Sequence, residues 1–406
     1  MAAHILQQTV LKNGLTILGE ANPAAQSAAV GYFVKTGARD ETPREAGVSH
    51  FLEHMMFKGT KKRNALEITY ELGNIGAQAN AFTSEENTVY YAQVIPEYFG
   101  YMQELLSDML RPALDEGEYS TEKKVILEEI ALYKDRPHFY LFEHAMADFF
   151  SGHTAGNSVL GSTDSIQALA RDEMKAYFDR RYAPSNMVLV GSGNFDWKTF
   201  VADAEKLTSA WQPFEAKREV RPHSPGSVKR VYRKKNITQS HVLFMTSGAG
   251  AQDEERYAMS VLSMMLGDSS GSKLYWELID KGIAEDAGAD NDERDGTGCF
   301  LAYGSTAPER LDEVAEIIQK VLSKPLDFSD EDLERAKTKL SSKIVLSGEL
   351  PMGRLMAAGL EWNYRKKLHS LKDSIAKIRA LSKKDIQQAL EKFPLTSWSE
   401  FRLLPE

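Results

Sequence analysis

Residues 28–110 of this 406-residue chain recur in degenerate form a little over 200 residues later, and a repeated chain folds as two similar units. At a shift of 211 residues with no gap, Phe33 falls on Phe244, Gly37 on Gly248, Ala38 on Ala249 and Ser49 on Ser260. Further on the shift becomes 206, placing Glu71 and Leu72 on Glu277 and Leu278, and Gly76 on Gly282. Each half then gives a strand and an amphipathic helix, over residues 90–110 in the first and 300–322 in the second. The matches are sparse but keep their order, which reads as duplication of an α+β unit of roughly 200 residues.

Local patterning fills in the first unit. Residues 7–20 alternate as a strand and turn at Asn13-Gly14, a hairpin signal. Residues 28–36 predict a second strand, 46–58 a helix closed by Gly59, 65–72 another helix, and 78–83 with 88–95 a strand pair. Pro96 opens a helix to residue 110, a long helix runs from about 115 past Glu129, and a further one covers 163–180. Residues 187–193 form a short apolar strand. Pro213, Pro222 and Pro225 lie in a stretch of mixed charge that reads as a linker. The expected domains are therefore 1–212, a linker at 213–229, and a second half at 230–406.

The repeat has a chemical consequence. At the 211 shift, His50 falls on Val261, Glu53 on Met264 and His54 on Met265, so only the first half can carry chemistry at that helix. His50 and His54 are four apart, which projects both imidazoles from one helix face. That spacing suits two nitrogen ligands on one metal ion. Glu53 lies beside such a metal rather than necessarily on it, and a carboxylate there can take a proton from an activated water attacking a peptide carbonyl. A zinc ion lowers the pKa of its water from 15.7 toward ~7. Two histidines four apart also arise by chance on exposed helices. Here they share their helix with Val48, Phe51, Leu52, Met55, Met56 and Phe57, and polar groups buried among so many apolar ones need a compensating partner.

Composition narrows the remaining possibilities. A net charge of -9 gives no basic field to favour nucleic acid. The single cysteine, Cys299, excludes an intramolecular disulfide framework and any multi-cysteine metal site, and it reads as a small buried apolar residue. Residues 1–10 lack a secretory-signal pattern, and no run approaches the ~18 apolar residues of a membrane span. The expected location is cytoplasmic.

The block from Gly47 to Thr60, containing His50-Phe51-Leu52-Glu53-His54, resembles the pitrilysin/insulinase family of zinc metallopeptidases, the inverzincins, and in particular the mitochondrial-processing-peptidase-like branch. The resemblance extends to Leu11-Lys12-Asn13-Gly14-Leu15, Asn80-Ala81-Phe82-Thr83-Ser84 and Tyr182-Ala183-Pro184-Ser185-Asn186-Met187. It implies an α+β fold of two homologous halves, each a mostly antiparallel sheet with helices packed on one face. It also implies a zinc endopeptidase with Glu53 as catalytic base and one zinc ion per chain. The third ligand is implied on a separate helix, where Glu122 to Glu129 matches the family pattern: Glu129 corresponds to the ligand and Glu122 to a supporting acid. Seven residues keep those two on one face, whereas Glu128 points roughly 100° away. Asn80, Ala81 and Phe82 resemble the edge strand that receives an extended peptide by strand addition.

The second half departs from the family pattern. Active members resembling this chain also use an Arg and a Tyr there, where this sequence has Lys273 and Glu285. Lysine lacks the planar guanidinium fork, and glutamate disfavours a developing oxyanion. One explanation is a heterodimer, in which a homologous subunit lacking the zinc motif supplies both groups; a homodimer is the simpler variant. The other is that nearby Tyr275 or Arg294 serves. Two halves from each of two chains would enclose a chamber admitting unfolded peptides or short polypeptides. A non-catalytic core or assembly subunit of the same fold is the alternative, and the intact metal motif argues against it.

Overall fold

The computed structural model describes residues 5–406. In chain order the strands and α-helices of the first half are β1 (Ile5–Val10), β2 (Thr16–Ala21), β3 (Ala28–Val34), α1 (Val48–Met55), α2 (Ala65–Asn74), β4 (Gln78–Thr83), β5 (Thr88–Val94), α3 (Phe99–Met109), α4 (Glu116–Asp135), α5 (Pro137–Phe149), α6 (Thr163–Ala168), α7 (Arg171–Arg181), β6 (Met187–Gly193) and α8 (Trp197–Leu207). Then follow β7 (Lys229–Lys234), β8 (Ser240–Ser247), α9 (Arg256–Gly267), β9 (Asp286–Arg294), β10 (Thr297–Thr306), α10 (Leu311–Leu322), α11 (Asp330–Gly348), α12 (Pro351–Arg365), α13 (Leu371–Ala380), α14 (Lys383–Lys392) and β11 (Ser399–Pro405).

The strands make two sheets, ordered β1-β2-β6-β3-β5-β4 and β7-β11-β8-β10-β9. With β1 set aside the two orders coincide, and each sheet has one parallel pair at the same place, β2 with β6 and β7 with β11. All other pairings are antiparallel. Coincident order and direction give the duplication a structural basis that the sparse residue matches alone did not.

All seven residues of β3 are buried, so this strand is covered on both faces. Even-numbered positions meet α3, where the buried Tyr32 hydroxyl shares a 2.7 Å hydrogen bond with Ser107. Odd-numbered positions Ala29 and Phe33 pack with Leu18, Val89, Val188 and Val190 against Leu355 and Ala358 of α12. A side chain such as Leu355 contributes about 1.5–3 kcal/mol by burial. Gly359 makes this contact possible, since a Cβ there would lie 2.5 Å from the Phe33 ring. The second sheet is built alike. Val242 and Phe244 pack with α9 and α10. Leu243 and Met245 meet Leu141, Ala145, Met146 and Phe149 of α5 on the other face.

Helices thus cover the second face of each sheet, and they come from unexpected places in the chain. The first compact unit comprises the described residues up to Ala131 with Asn157–Glu219 and Leu346–Ser370; the second comprises Leu132–Gly156, Val220–Val345 and Leu371–Glu406. These differ from the contiguous blocks 1–212 and 230–406, because α5 supplies apolar cover to the second sheet and α12 to the first. Residues 212–228 lack regular secondary structure, as the three prolines suggest. The helix expected over 163–180 is two helices. The Leu169 carbonyl accepts from the Tyr119 hydroxyl (2.7 Å) and the Lys123 ammonium (2.8 Å), and the Glu173 carboxylate caps the Ala170 amide at 2.9 Å. Satisfied from outside, the backbone leaves the helix there.

Candidate metal centre

Helix α1 starts abruptly. Gly47 has φ 91°, and a Cβ would lie 2.6 Å from the Leu160 carbonyl oxygen, so only glycine fits. The buried Glu41 carboxylate accepts from the Gly47 and Ser49 amides, both at 2.7 Å, satisfying two donors of the first turn. Burial pushes the Glu41 carboxyl up to about 7, against the pull of those hydrogen bonds from Ser49 and Gly47. The Ser49 hydroxyl lies 2.6 Å from that of Tyr177, which is 2.9 Å from the Thr36 hydroxyl. The helix is therefore fixed in rotation by polar contacts as well as by Val48, Phe51 and Leu52 in the core.

That rotation brings the imidazoles of His50 and His54 to a centroid separation of 4.7 Å. The Oε2 atom of Glu129 lies 3.8 Å from His50 Nε2 and 3.6 Å from His54 Nε2. These separations are too long for hydrogen bonds. They match the ~3.4 Å between two ligand atoms of a tetrahedral ion with ~2.1 Å bonds. Among the described residues, only His50, His54 and Glu129 form a group of this kind, with ligand atoms within 4.8 Å of one another. The donor set, two imidazoles and a carboxylate, is of the kind that fits a zinc ion.

The protonation states suit the same purpose. Burial, reinforced by the neighbouring His54, drives the His50 pKa down to about 4, so its ring is neutral and offers a lone pair at neutral pH. His54 Nδ1 lies 2.8 Å from Oε1 of Glu122, whose Oε2 accepts from the Lys58 ammonium at 2.6 Å. Nδ1 is thereby the donor, and Nε2 is left to face Glu129. Burial opposes ionisation of Glu122, but the Lys58 and His54 hydrogen bonds outweigh it and hold the carboxyl below the usual carboxylate range. Helix α4 carries Glu122 and Glu129 on one face, whereas Glu128 is exposed and lies outside the group.

Glu53 is buried beside the group. Desolvation raises its pKa, while the Thr83 hydroxyl hydrogen bond and the proximity of His54 pull it down; nearby Glu129 adds to the rise. Thr83 Oγ1 donates to Glu53 Oε2 at 2.7 Å. Of the three strand residues singled out in the sequence, Asn80 turns its side-chain oxygen onto the Ala81 amide at 2.9 Å. Strand alternation puts Ala81 on the same face as Thr83. Phe82 faces the other way and packs with Tyr91 among the residues beneath α12. Thr83, Lys58 and Glu41 were not foreseen. Thr83 and Lys58 stood inside the quoted motif blocks, but nothing in the sequence paired them with Glu53 and Glu122.

In the second unit, the residues aligned with the motif are core. Val261 and Met265 are buried in the apolar cluster, and Met264 packs against it. The Lys273 ammonium is engaged by Asp327, and Glu285 accepts from Gln239. Tyr275 stacks edge-on with Trp276 at 4.9 Å. The Arg294 guanidinium is buried, bonded to Asp292 and the Ala155 carbonyl.

Known proteins resemble this chain along most of its length. Residues 16–163 match the family described as Insulinase (Peptidase family M16), and residues 168–340 match the Peptidase M16 inactive domain. A Bacillus subtilis protein called an uncharacterized zinc protease is 32% identical over 359 residues, covering 87% of each chain. A Streptomyces coelicolor protein with the same description is 31% identical over 403 residues, covering 94% of this chain and 86% of its own. Among solved structures, a protease from Helicobacter pylori superposes with TM-score 0.92 at 21% identity, covering 99% of this chain and all of its own. Complex III2 from Candida albicans contains a chain with TM-score 0.86 at 18% identity, covering 98% and 95%. At such identities the solved structures speak for the fold alone. Sequence matches over both halves, together with the fold, make this chain a member of the insulinase family of peptidases, family M16.

Proposed function

We propose that this protein is a zinc-dependent endopeptidase acting on unfolded peptides, and that it is the zinc-bearing subunit of a two-chain enzyme. The observation that carries the reading is the convergence of His50 Nε2, His54 Nε2 and Glu129 Oε2 at ligand-to-ligand spacing, with the Glu53 carboxylate alongside. Zinc held by these three residues would polarise the scissile carbonyl and lower the pKa of the attacking water. Glu53 accepts the proton of that water and returns it to the leaving amine, a task suited to a carboxylate whose pKa burial has raised. Glu122 holds the His54 tautomer. The open edge of β4, at Asn80 and Ala81, aligns an extended substrate by main-chain pairing.

Engagement of Lys273 by Asp327 and of Glu285 by Gln239 supports an Arg and a Tyr coming from a homologous, motif-free partner. A non-catalytic assembly subunit of this fold would have no use for the intact donor set. No helix among the described residues is long and apolar enough to cross a membrane. A cytoplasmic location belongs to the same reading.

The test is hydrolysis of quenched-fluorescence peptides by the purified chain. Cleavage should depend on zinc and vanish in Glu53→Gln, which keeps its zinc. The chain alone should turn over slowly, and rapid turnover without a partner contradicts the two-chain reading. Zinc-loaded protein that cleaves nothing, with or without its partner, contradicts the peptidase reading.

A further inference from the structure

The turn between β4 and β5 is held more firmly than a surface hairpin requires. Within it the Ser84 amide donates to the Asn87 carbonyl at 2.8 Å, and the Ser84 hydroxyl accepts from the Asn87 amide at 3.0 Å. Glu86 and Asn87 are 2% exposed. Three distant segments of the first unit grip these residues. The Arg39 amide donates to the Glu85 carbonyl at 2.8 Å, and the Arg39 guanidinium pairs with the Glu86 carboxylate. Arg218, from the stretch before the second half, donates to the Glu86 carbonyl at 2.6 Å. Asn363 of α12 donates to the Asn87 side-chain oxygen at 2.8 Å, and Asn87 donates to the Tyr364 hydroxyl at 2.9 Å. A turn satisfied by hydrogen bonds from three sides has little freedom to shift.

The residue next to this platform is Thr83, whose hydroxyl reaches Glu53 Oε2 at 2.7 Å. A glutamate has three side-chain torsions, and α1 fixes only where the side chain starts. The Thr83 hydrogen bond fixes where it ends, holding Oε2 and leaving Oε1 to exchange the proton. We propose that Thr83 is a positioning residue for Glu53, its hydroxyl delivered by the anchored β4–β5 turn. This inference rests on the peptidase reading, in which Glu53 moves a proton. It also explains why residues of α12, near the end of the chain, are built into the supports of a site near its beginning.

Two substitutions separate the hydroxyl from the shape. Thr83→Val keeps the shape and loses the donor, whereas Thr83→Ser keeps the donor. With the zinc-loaded protein and its partner, Thr83→Val should lower kcat roughly 10- to 100-fold with KM and zinc content unchanged, because a general base about 1 Å out of place loses that order of rate. Thr83→Ser should stay within about threefold of the parent. In the metal-free protein, the shift in denaturation midpoint of the double variant Thr83→Val/Glu53→Ala should fall short of the sum of the two single-variant shifts, since the two groups share one bond. Should Thr83→Val not fold, Thr83→Ala replaces it in both comparisons. Parental kcat in Thr83→Val, an equal loss in Thr83→Ser, or additive midpoint shifts would each overturn the proposal. If the parent binds zinc but cleaves nothing, the peptidase reading fails, and the metal-free comparison still decides whether the bond exists.

Discussion

Replacing Glu122 with glutamine should weaken zinc binding, although Glu122 is not one of the three donor residues. Its two oxygens do different things: Oε1 accepts from His54 Nδ1 at 2.8 Å, and Oε2 accepts from the Lys58 ammonium at 2.6 Å. A glutamine has one acceptor and one donor. If its oxygen faces His54, its NH2 faces the Lys58 ammonium, donor against donor. If it turns round, the NH2 asks His54 Nδ1 to accept, which moves the ring proton to Nε2 and blocks the ligand atom. Both arrangements cost affinity. Loss of a carboxylate partner behind a metal-binding histidine typically costs 10–100-fold, or about 1.4–2.8 kcal/mol at 1.4 kcal/mol per tenfold. Competition against a chelator of known zinc affinity at pH 7.5 would read this directly. Lys58→Met should have a smaller effect, because Oε1 still holds His54. A Glu122→Gln affinity equal to the parent's would refute the argument that this carboxylate sets the tautomer.

Other expectations follow from the same geometry. In metal-free protein the His50 pKa of about 4 lies below the unfolded value of 6.5, so the unfolded chain takes up the proton first as pH falls. Stability should then decline between pH 6.5 and 4, by at most about 1.4 kcal/mol per pH unit, with no such contribution above that window. Denaturation of His50→Gln alongside the parent isolates this slope from Glu53, whose raised pKa acts in the opposite direction; identical slopes would contradict it. Gly359→Ala should destabilise the protein by about 1–3 kcal/mol, since the new methyl meets the buried Phe33 ring. An unchanged melting temperature would mean that α12 does not pack so closely on the first sheet.

Much of this was legible in the residues. Runs of small and apolar residues within 28–36 and 187–193 read as strands, and β3 and β6 are buried on both faces. The i, i+4 spacing placed His50 and His54 together, and the seven-residue spacing placed Glu122 and Glu129 on one face of α4. What stayed hidden depended on contacts between residues far apart in sequence. No local pattern says that α12 covers the first sheet or that α5 covers the second. The break at Leu169 comes from Tyr119 and Lys123, about fifty residues earlier. The resemblance of Asn80, Ala81 and Phe82 to a peptide-receiving edge strand concerns the backbone of β4 and does not say that the Phe82 ring packs with Tyr91 beneath α12. No local pattern marks Glu41 as the acid that accepts from the Gly47 and Ser49 amides at the start of α1.

The central claim is that His50, His54 and Glu129 together hold one zinc ion. X-ray absorption at the zinc edge, with elemental analysis of the same sample, tests it most directly. One zinc per chain is expected, bound by two nitrogen donors and oxygen donors at about 2.0–2.2 Å with no sulfur, and absent from His54→Ala and depleted in Glu129→Ala. Zinc at background level in the parent after reconstitution, or full occupancy in His54→Ala, would contradict the account.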